Sequence, residues 1–528
     1  MAETDASRAA PEAGNGRPNV LLVMVDDMGY SDIGCYGGEI QTPTLDSLAE
    51  GGVRCSRFYN AAQCCPSRAT LLTGLYPHQA GMGDMNARGP SAPLWQEVSA
   101  EAYLGFKKEG ILTLPEALRE AGYQTFMSGK WHLGDTPDNW PSKRGFDRTF
   151  SLIIGASEHF SGRYPWRSKG PIAPFSLDGE KLDELPDDFY TTDTFTDYAL
   201  RFIEESDGDK PWFCYLAYTA PHWPLQAYEE DAAKYDAIYR QHPETLRRAR
   251  FERMKQIGLV PETAVLPPLD PAITAHGIED NREWRDRSMR HYAGMIDRVD
   301  QNLARVVDLL KKRGEFENTL ILFVSDNGAD TVRGPLWGRL NNAPFRRYKV
   351  WTYDGGIATP LIAHWPAGLP AARNGRIVHG YGHFIDIQPT IFEVAGTGQP
   401  ETYRDQPVAP LEGISLLPAL RGEEELPEDR PIFWERQGNE AVRLGDWKLV
   451  RGYSEGSESG GAVGTGPRTG EWELYNVGAD PGETRDLASQ FPRKAEEFRA
   501  TYEAWAERIG VVPREEIADV IDAMKEDK

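Results

Sequence analysis

Four apolar runs along the chain end alike, in a cluster of charged or hydrogen-bonding side chains. Asn19-Val20-Leu21-Leu22-Val23-Met24-Val25 runs into Asp26-Asp27, and Tyr123-Gln124-Thr125-Phe126-Met127 runs into Lys130-Trp131-His132. Trp212-Phe213-Cys214-Tyr215-Leu216-Ala217 runs toward Pro221-His222, and Leu320-Ile321-Leu322-Phe323-Val324 into Asp326-Asn327. Largely continuous hydrophobicity, without alternation, predicts strands buried on both faces, as in a parallel sheet covered by helices. Helical stretches separate these runs: Pro43 to Glu50, Leu114 to Glu120, and a long one from Arg287 to Arg313. Thr42 is placed as an N-cap with Pro43 at the first helical position. In the long helix Met289, Met295, Ile296, Val299, Leu303, Val306 and Leu310 form an apolar stripe. This βαβ rhythm predicts an α/β fold with a doubly wound, mostly parallel sheet flanked by helices. Ligands of such sheets lie beyond the carboxyl ends of the strands, so Asp26 and Asp326 are expected at one rim.

After about residue 420 the texture changes. Pro431-Ile432-Phe433-Trp434-Glu435, Ala441-Val442-Arg443-Leu444, Trp447-Lys448-Leu449-Val450 and Trp472-Glu473-Leu474-Tyr475 read as short strands, with Gly445-Asp446 as a hairpin turn. The Gly/Ser-rich stretch from Ser454 to Gly466 reads as a flexible loop. Phe498, Tyr502, Trp505 and Ile509 mark an amphipathic helix. The expected organisation is a disordered tail over 1–16, a main domain over 17–420, and a small antiparallel sheet with one helix over 421–528.

Composition narrows the function classes. With 528 residues, 40% hydrophobic and 11% aromatic, the chain has ample material for a large core. Lys and Arg number 58 against 81 Asp and Glu, a net charge of −23, and no basic tract stands out. Nucleic acid is therefore excluded as a partner. An anionic ligand would need positive charge gathered in one pocket. No run approaches a membrane-spanning length, and the polar N-terminus does not read as a secretory signal, so no membrane role and cytoplasmic residence are expected. Cys35, Cys55, Cys64, Cys65 and Cys214 are too few and scattered for a disulfide framework.

Candidate chemistry centres on Cys64-Cys65-Pro66-Ser67-Arg68, continuing to Leu72-Thr73-Gly74. Proline suits a first helical turn, which places Cys64 at a helix start with Arg68 one turn on. Terminal amides and a nearby cation favour a thiolate there. The plainer reading is a small buried cysteine beside a salt-bridging arginine. Asp26-Asp27 and Asp326-Asn327 offer hard oxygen ligands, which suit Ca2+ or Mg2+ better than Zn2+. Taken singly, each pair is a turn or cap signal. Lys130 and Lys349 would ordinarily be solvated surface charges, and His222 a loop histidine. His78, His159, His364 and His383 are read as structural. Trp166, Trp223, Trp337 and Trp351 either line an aryl pocket or belong to the core.

These motifs together resemble the type I sulfatases, whose signature is Cys-x-Pro-Ser-Arg followed by Leu-Thr-Gly. The likeness covers nearly the whole chain. Asn19 to Tyr30 looks like the family's opening strand. Gly129-Lys130-Trp131-His132-Leu133-Gly134, Pro221-His222, Ser325-Asp326-Asn327-Gly328 and Asp480-Pro481-Gly482-Glu483-Thr484 follow in the family's order. Pro344-Phe345-Arg346-Arg347-Tyr348-Lys349 and Gly355-Gly356-Ile357-Ala358-Thr359-Pro360 are most like bacterial arylsulfatases of the alkaline-phosphatase-like superfamily. Asp354, before Gly355-Gly356, stands where glutamate is common, which puts a supporting contact in question.

The resemblance implies that Cys64 is oxidised to formylglycine by a formylglycine-generating enzyme, and that the aldehyde hydrate is the nucleophile. Only Cys64 has proline at +2 and arginine at +4, so Cys65 stays a thiol. Asp26, Asp27, Asp326 and Asn327 would hold Ca2+, with Mg2+ second, and the modified Cys64 would touch the same ion. Arg68 would steady the hydrate. Lys130, Lys349 and His222 would bind the sulfate oxygens, with His222 as acid toward the leaving group. Asp326 would help deprotonate the attacking hydroxyl, and His132 would take the proton that releases sulfate. The implied substrate is a small sulfate monoester, most readily an aryl sulfate. The alternatives are a phosphonate monoester or phosphodiester hydrolase of the same superfamily, or a silent binding relative.

Overall fold

The computed structural model describes residues 16–85, 100–107, 109–165, 171–269, 282–452 and 470–517. Residues 1–15 of the tail expected over 1–16, the loop Ser454 to Gly466 and Trp166 lie outside the described residues. A sheet of ten strands, β1 to β10, organises the main part of the chain. They are β1 (Asn19–Val25), β2 (Val53–Tyr59), β3 (Gln124–Lys130), β4 (Arg148–Leu152), β5 (Phe175–Leu177), β6 (Glu180–Lys181), β7 (Trp212–Ala217), β8 (Thr319–Ser325), β9 (Ala358–His364) and β10 (Arg376–His383). Their order is β10-β2-β9-β8-β1-β7-β3-β4-β5-β6. The run from β8 through β1, β7 and β3 to β4 is parallel, while β9, β5 and β6 pair antiparallel with their neighbours.

Both faces of the sheet are covered. Along β1, Leu21, Val23 and Val25 enter one hydrophobic cluster, and Val20, Leu22 and Met24 enter another on the opposite face. That alternation between two cores is the reason the strand reads as continuously apolar. On one side lie α1 (Pro43–Glu50), α4 (Thr191–Glu204) and α6 (Arg282–Arg313), and on the other α2 (Cys64–Thr73) and α3 (Leu114–Glu120). The helix α5 (Pro243–Gln256) adds Leu246, Phe251 and Met254 to the first side. The predicted stripe of α6, from Met289 to Leu310, is buried in that core. The helix begins at Arg282, five residues before the start predicted at Arg287, because its first turns carry no periodic apolar signal.

Thr42 occupies the N-cap position of α1, with Pro43 next, yet its side chain makes no capping bond. Its hydroxyl instead accepts from the Gly34 amide at 2.9 Å, so a tertiary loop contact displaces the local one. In α3, by contrast, Thr113 and Glu116 form a reciprocal capping box.

The C-terminal strands β13 (Ile432–Arg436), β14 (Asn439–Leu444), β15 (Trp447–Arg451) and β16 (Trp472–Asn476) form an antiparallel sheet in sequence order, after the small β11 (Thr402–Tyr403) and β12 (Gln406–Pro407) hairpin. One face, through Phe433, Val442, Leu449 and Leu474, packs on Phe498, Tyr502, Trp505 and Ile509 of α7 (Pro492–Ile509). The other face, through Ile432, Trp434, Ala441, Val450 and Tyr475, joins the core of the large sheet. Among the described residues no helix is long and apolar enough to cross a membrane.

Candidate active site

The parallel register of β1 and β8 pairs Val25 with Ser325, which sets Asp26-Asp27 beside Asp326-Asn327 at one sheet edge. β3 and β7 end at the same edge, delivering Lys130 and, one turn later, His222. Lys130 is the last residue of its strand, so β3 runs past the apolar stretch that marks it in the sequence.

The side chains interlock. Lys130 Nζ donates to Asp26 Oδ2 at 2.6 Å, and Lys349 Nζ donates to Asp27 Oδ1 at 2.6 Å. Asn327 Nδ2 also donates to Asp27 Oδ1, at 2.6 Å. Arg68 Nη2 donates to Asp326 Oδ2 at 2.8 Å, while its Nη1 bonds the Lys130 carbonyl at 2.9 Å. Cys64 Sγ lies 3.6 Å from Asp26 Oδ1, and His222 Nε2 lies 3.6 Å from Asp27 Oδ2. Neither lysine is a solvated surface charge: Lys130 is fully buried, and the Lys349 side chain is 14% exposed. Three carboxylates and three permanent cations therefore balance in one water-poor site.

Cys64 opens α2, as the position of Pro66 implies, but the thiolate expected there is overturned. Burial pushes the thiol up, with Asp26 and Asp326 adding to it, and Lys130 and Lys349 do not compensate. Arg68 shares the helix but spends its charge on Asp326. An unmodified Cys64 is thus a protonated, weakly nucleophilic thiol.

Other titrations are equally site-specific. Burial would raise Asp27, yet Lys349, His222 and Asn327 hold its carboxyl well below the usual range. Burial and the neighbouring Asp26 push Asp326 up to about 6 against Arg68 and Lys130. Burial brings His222 down to about 4 despite Asp27, with Lys349 and Lys130 contributing. Its Nδ1 faces the Trp223 carbonyl at 2.6 Å, which points Nε2 at Asp27. His132 is held well below its ordinary value by burial, then by Lys130 and Arg68.

Asp27 and His132 both sit at positive φ, 65° and 54°, a region that non-glycine residues adopt only when their surroundings enforce it. For Asp27 the enforcement is visible: its amide bonds Asp326 Oδ1 at 3.2 Å and its carbonyl accepts from Tyr292 at 3.1 Å.

The donors fit a hard divalent cation. Asp27 Oδ2 and Asn327 Oδ1 are buried oxygens without a hydrogen-bond partner, in a site where almost every other oxygen is engaged. Ligand atoms of Asp26, Asp27, Cys64 and His222 lie within 4.8 Å of one another. Buried acceptors left open at the meeting of carboxylates point to a ligand that accepts their lone pairs. Asp326 is differently placed, with one oxygen on Arg68 and the other on the Asp27 amide.

Two supporting residues escape the sequence reading. Gly155 follows β4, and a Cβ there would lie 2.5 Å from His132 Cε1, so only glycine lets that ring sit where it does. The strand before it, Arg148-Thr149-Phe150-Ser151-Leu152, is too polar to read as a buried run, so nothing local marks the position. His159, read as structural, touches the site through its neighbour. Its Nε2 bonds the His222 carbonyl at 3.1 Å and its Nδ1 bonds Thr191 Oγ1 at 2.6 Å. His78, by contrast, pairs with Glu435 at 2.7 Å, and His364 with the Leu48 carbonyl at 3.1 Å, away from the cluster. Trp337 and Trp351 are buried in the core, while Trp223, after His222, is 38% exposed.

A sulfatase family model matches residues 18–397. The chain is 32% identical over 560 residues to an uncharacterized sulfatase of Schizosaccharomyces pombe, across 97% of this chain and 98% of that one. It is 33% identical over 442 residues to an arylsulfatase of Klebsiella aerogenes, across 76% and 91% of the two chains. Among solved structures, Ps i-CgsB in complex with k-i-k-neocarrahexaose superposes with a TM-score of 0.69 at 28% identity, covering 93% of each chain. A matching model over most of the chain, and relatives above 30% identity along its length, place the protein in the sulfatase family, the sulfuric ester hydrolases of alkaline-phosphatase-like fold.

Proposed function

We propose that the protein hydrolyses sulfate monoesters, aryl sulfates foremost, using formylglycine made from Cys64 and a bound Ca2+. The observation that carries this reading is Cys64 itself, buried as an unreactive thiol within reach of Asp26, Lys130 and Lys349. A cysteine so placed is of little use as a thiol, whereas its aldehyde hydrate would be a nucleophile amid cations and an acidic cluster. When present, the cation would be held by Asp26, Asp27, Asn327 and Asp326 and would polarise a sulfate oxygen.

The chain's own residues do the rest. Lys130 and Lys349 place two buried positive charges opposite the two β1 carboxylates, where an anionic sulfate is stabilised as charge builds on its oxygens. His222, in the segment after β7, turns Nε2 toward Asp27 and would protonate the departing oxygen. Because burial holds His222 low, that proton is acquired only when an anion in the site raises its basicity. His132, neutral and fixed against Gly155, is the base for the later proton removal. Arg68 locks Asp326 and the end of β3 in register. Trp223 is the exposed aromatic nearest in sequence to this acid and suits an aryl leaving group.

The test is a panel of aryl sulfates, alkyl sulfates and phosphonate esters, together with peptide mass spectrometry of active protein. Aryl sulfates should turn over fastest. Position 64 should carry a carbonyl in place of its thiol while Cys65 keeps its own, and Cys64→Ala should be inactive. Retained activity in Cys64→Ala would overturn the reading, and preferred turnover of phosphonates would move the protein to the other class.

A further inference from the structure

Asp354, the departure from glutamate noted in the sequence, is among the most heavily engaged side chains outside the site. Its Oδ1 accepts from Lys448 Nζ at 2.6 Å, and its Oδ2 from Tyr59 at 3.1 Å. Glu483 completes the group: Oε1 accepts from Lys448 at 2.8 Å, and Oε2 from the Asp354 amide at 3.0 Å. All three ionisable side chains are buried, with Lys448 on β15 and Glu483 in the turn after β16. Every carboxylate oxygen of the trio is bonded, so a C-terminal lysine and glutamate close on an aspartate of the main domain.

What Asp354 carries explains why that closure matters. It begins the short helix Asp354–Ile357, whose backbone underlies three of the site's segments. The Gly328 amide, next to Asn327, bonds the Gly356 carbonyl at 3.0 Å, and a Cβ on Gly328 would lie 2.0 Å from the Gly355 carbonyl oxygen. The Gly355 amide bonds the Arg346 carbonyl at 2.8 Å, and a Cβ on Gly355 would lie 2.3 Å from the carbonyls of Arg346 and Arg347, just before Lys349. The Asn60 amide, on the approach to Cys64, bonds the Ile357 carbonyl at 2.8 Å. Contacts this close leave no slack, so a shift of the helix is passed to Asn327 and Lys349.

We propose that Lys448 and Glu483 are positioning residues: through Asp354, the C-terminal sheet fixes the backbone on which Asn327, Lys349 and the approach to Cys64 rest. The catalytic readout of this proposal depends on the sulfate-ester reading above, and its structural readout does not.

The test pairs Lys448→Met with Glu483→Gln, which removes one cation and one anion together, and follows 4-nitrophenyl sulfate turnover and amide hydrogen exchange. The expected result is a fall in kcat of at least about tenfold with KM within about threefold, since geometry and not binding area is lost. Exchange should quicken at Gly328 and Gly356 while β1 and β8 stay protected. A folded double variant with wild-type kcat, wild-type exchange at those glycines, or exchange quickened evenly through β1 and β8 overturns the proposal. If the double variant does not fold, Glu483→Gln alone, which keeps the shape of the side chain and removes the charge facing Lys448, decides it by the same two measurements. A wild-type protein inactive on every sulfate ester, with local exchange still responding to the substitutions, would reject the sulfate reading and leave the positioning role standing.

Discussion

At the scale of single residues, the site depends on positions whose chemistry is nil. Gly155 has no side chain, yet its bareness sets where the His132 ring lies. Gly155→Ala would push a methyl to within 2.5 Å of His132 Cε1, so the ring must rotate or move. Misplacing a proton-transfer group by about 1 Å costs on the order of a hundredfold, and kcat on aryl sulfates is expected to fall by roughly that factor with a much smaller change in KM. Steady-state kinetics checks this, and an unchanged kcat would remove His132 from the mechanism. The residues that announce themselves in the sequence are those whose polarity interrupts an apolar run: Asp26, Lys130, His222 and Asp326 stand out for that reason. Gly155 and His159 are silent because their importance comes from neighbours far along the chain, Gly155 against His132 and His159 against the carbonyl of His222. The thiolate expected at Cys64 failed for a related reason. Helix position is local and legible, whereas the burial that overrides it is not.

At the scale of elements, the sequence carries the strands well and their ends less so. β1 and β7 match their apolar runs residue for residue, because a strand buried on both faces must be apolar throughout. β3 extends to Lys130 and α6 back to Arg282, since polar residues can continue a strand or helix without marking it. Order across the sheet, with antiparallel β9 between β8 and β2, left no local trace. One junction yields a pH prediction. His383 ends β10, its Nε2 bonding the Asn60 carbonyl at 3.1 Å and its Nδ1 accepting from the Ile385 amide at 3.3 Å. Both ring nitrogens are committed to the neutral form, and burial, with Arg430 nearby, takes the ring down to about 3. Asp386, the facing acid, is itself paired with Arg430, and the rings of Tyr76 and Trp434 carry no charge. Above about pH 6.5 neither folded nor unfolded chain protonates this histidine, so it adds no pH dependence. Below that value the unfolded chain binds a proton that the folded one refuses, and stability falls by about 1.4 kcal/mol per pH unit until about pH 3. His383→Gln should therefore lose roughly 2 kcal/mol less than wild type between pH 7 and 5, read from urea midpoints. Equal losses in the two proteins would place the acid sensitivity elsewhere.

At the scale of the whole molecule, a chain of net charge −23 must hold an anion in a site whose own charges cancel. Asp26, Asp27 and Asp326 are matched by Arg68, Lys130 and Lys349, which leaves no surplus to attract a sulfate. On the proposed reading a bound dication would supply that surplus, held where the buried oxygens Asp27 Oδ2 and Asn327 Oδ1 have no hydrogen-bond partner. Ca2+ should consequently stabilise the folded protein as well as serve the reaction. Because only the folded chain assembles oxygens from β1 and β8, the gain grows by about 1.4 kcal/mol for each tenfold rise in free Ca2+ above the dissociation constant. Thermal unfolding followed against Ca2+ concentration should show a midpoint that climbs logarithmically and drops on chelation, with Mg2+ giving a shallower climb. Asp27→Ala removes one open acceptor together with the partner of Lys349, and its midpoint should no longer respond to Ca2+ at concentrations that saturate wild type. A substitution on the same sheet but outside the cluster, Leu22→Ala, should lower the midpoint at every concentration by the same amount and keep the Ca2+ slope, because it costs core packing and no ligand. A midpoint indifferent to Ca2+ in wild type, or one that climbs with Zn2+ instead, would mean that the carboxylates of β1 and β8 are neutralised by the lysines alone or serve a softer ion, and the charge argument for sulfate capture would fall with it.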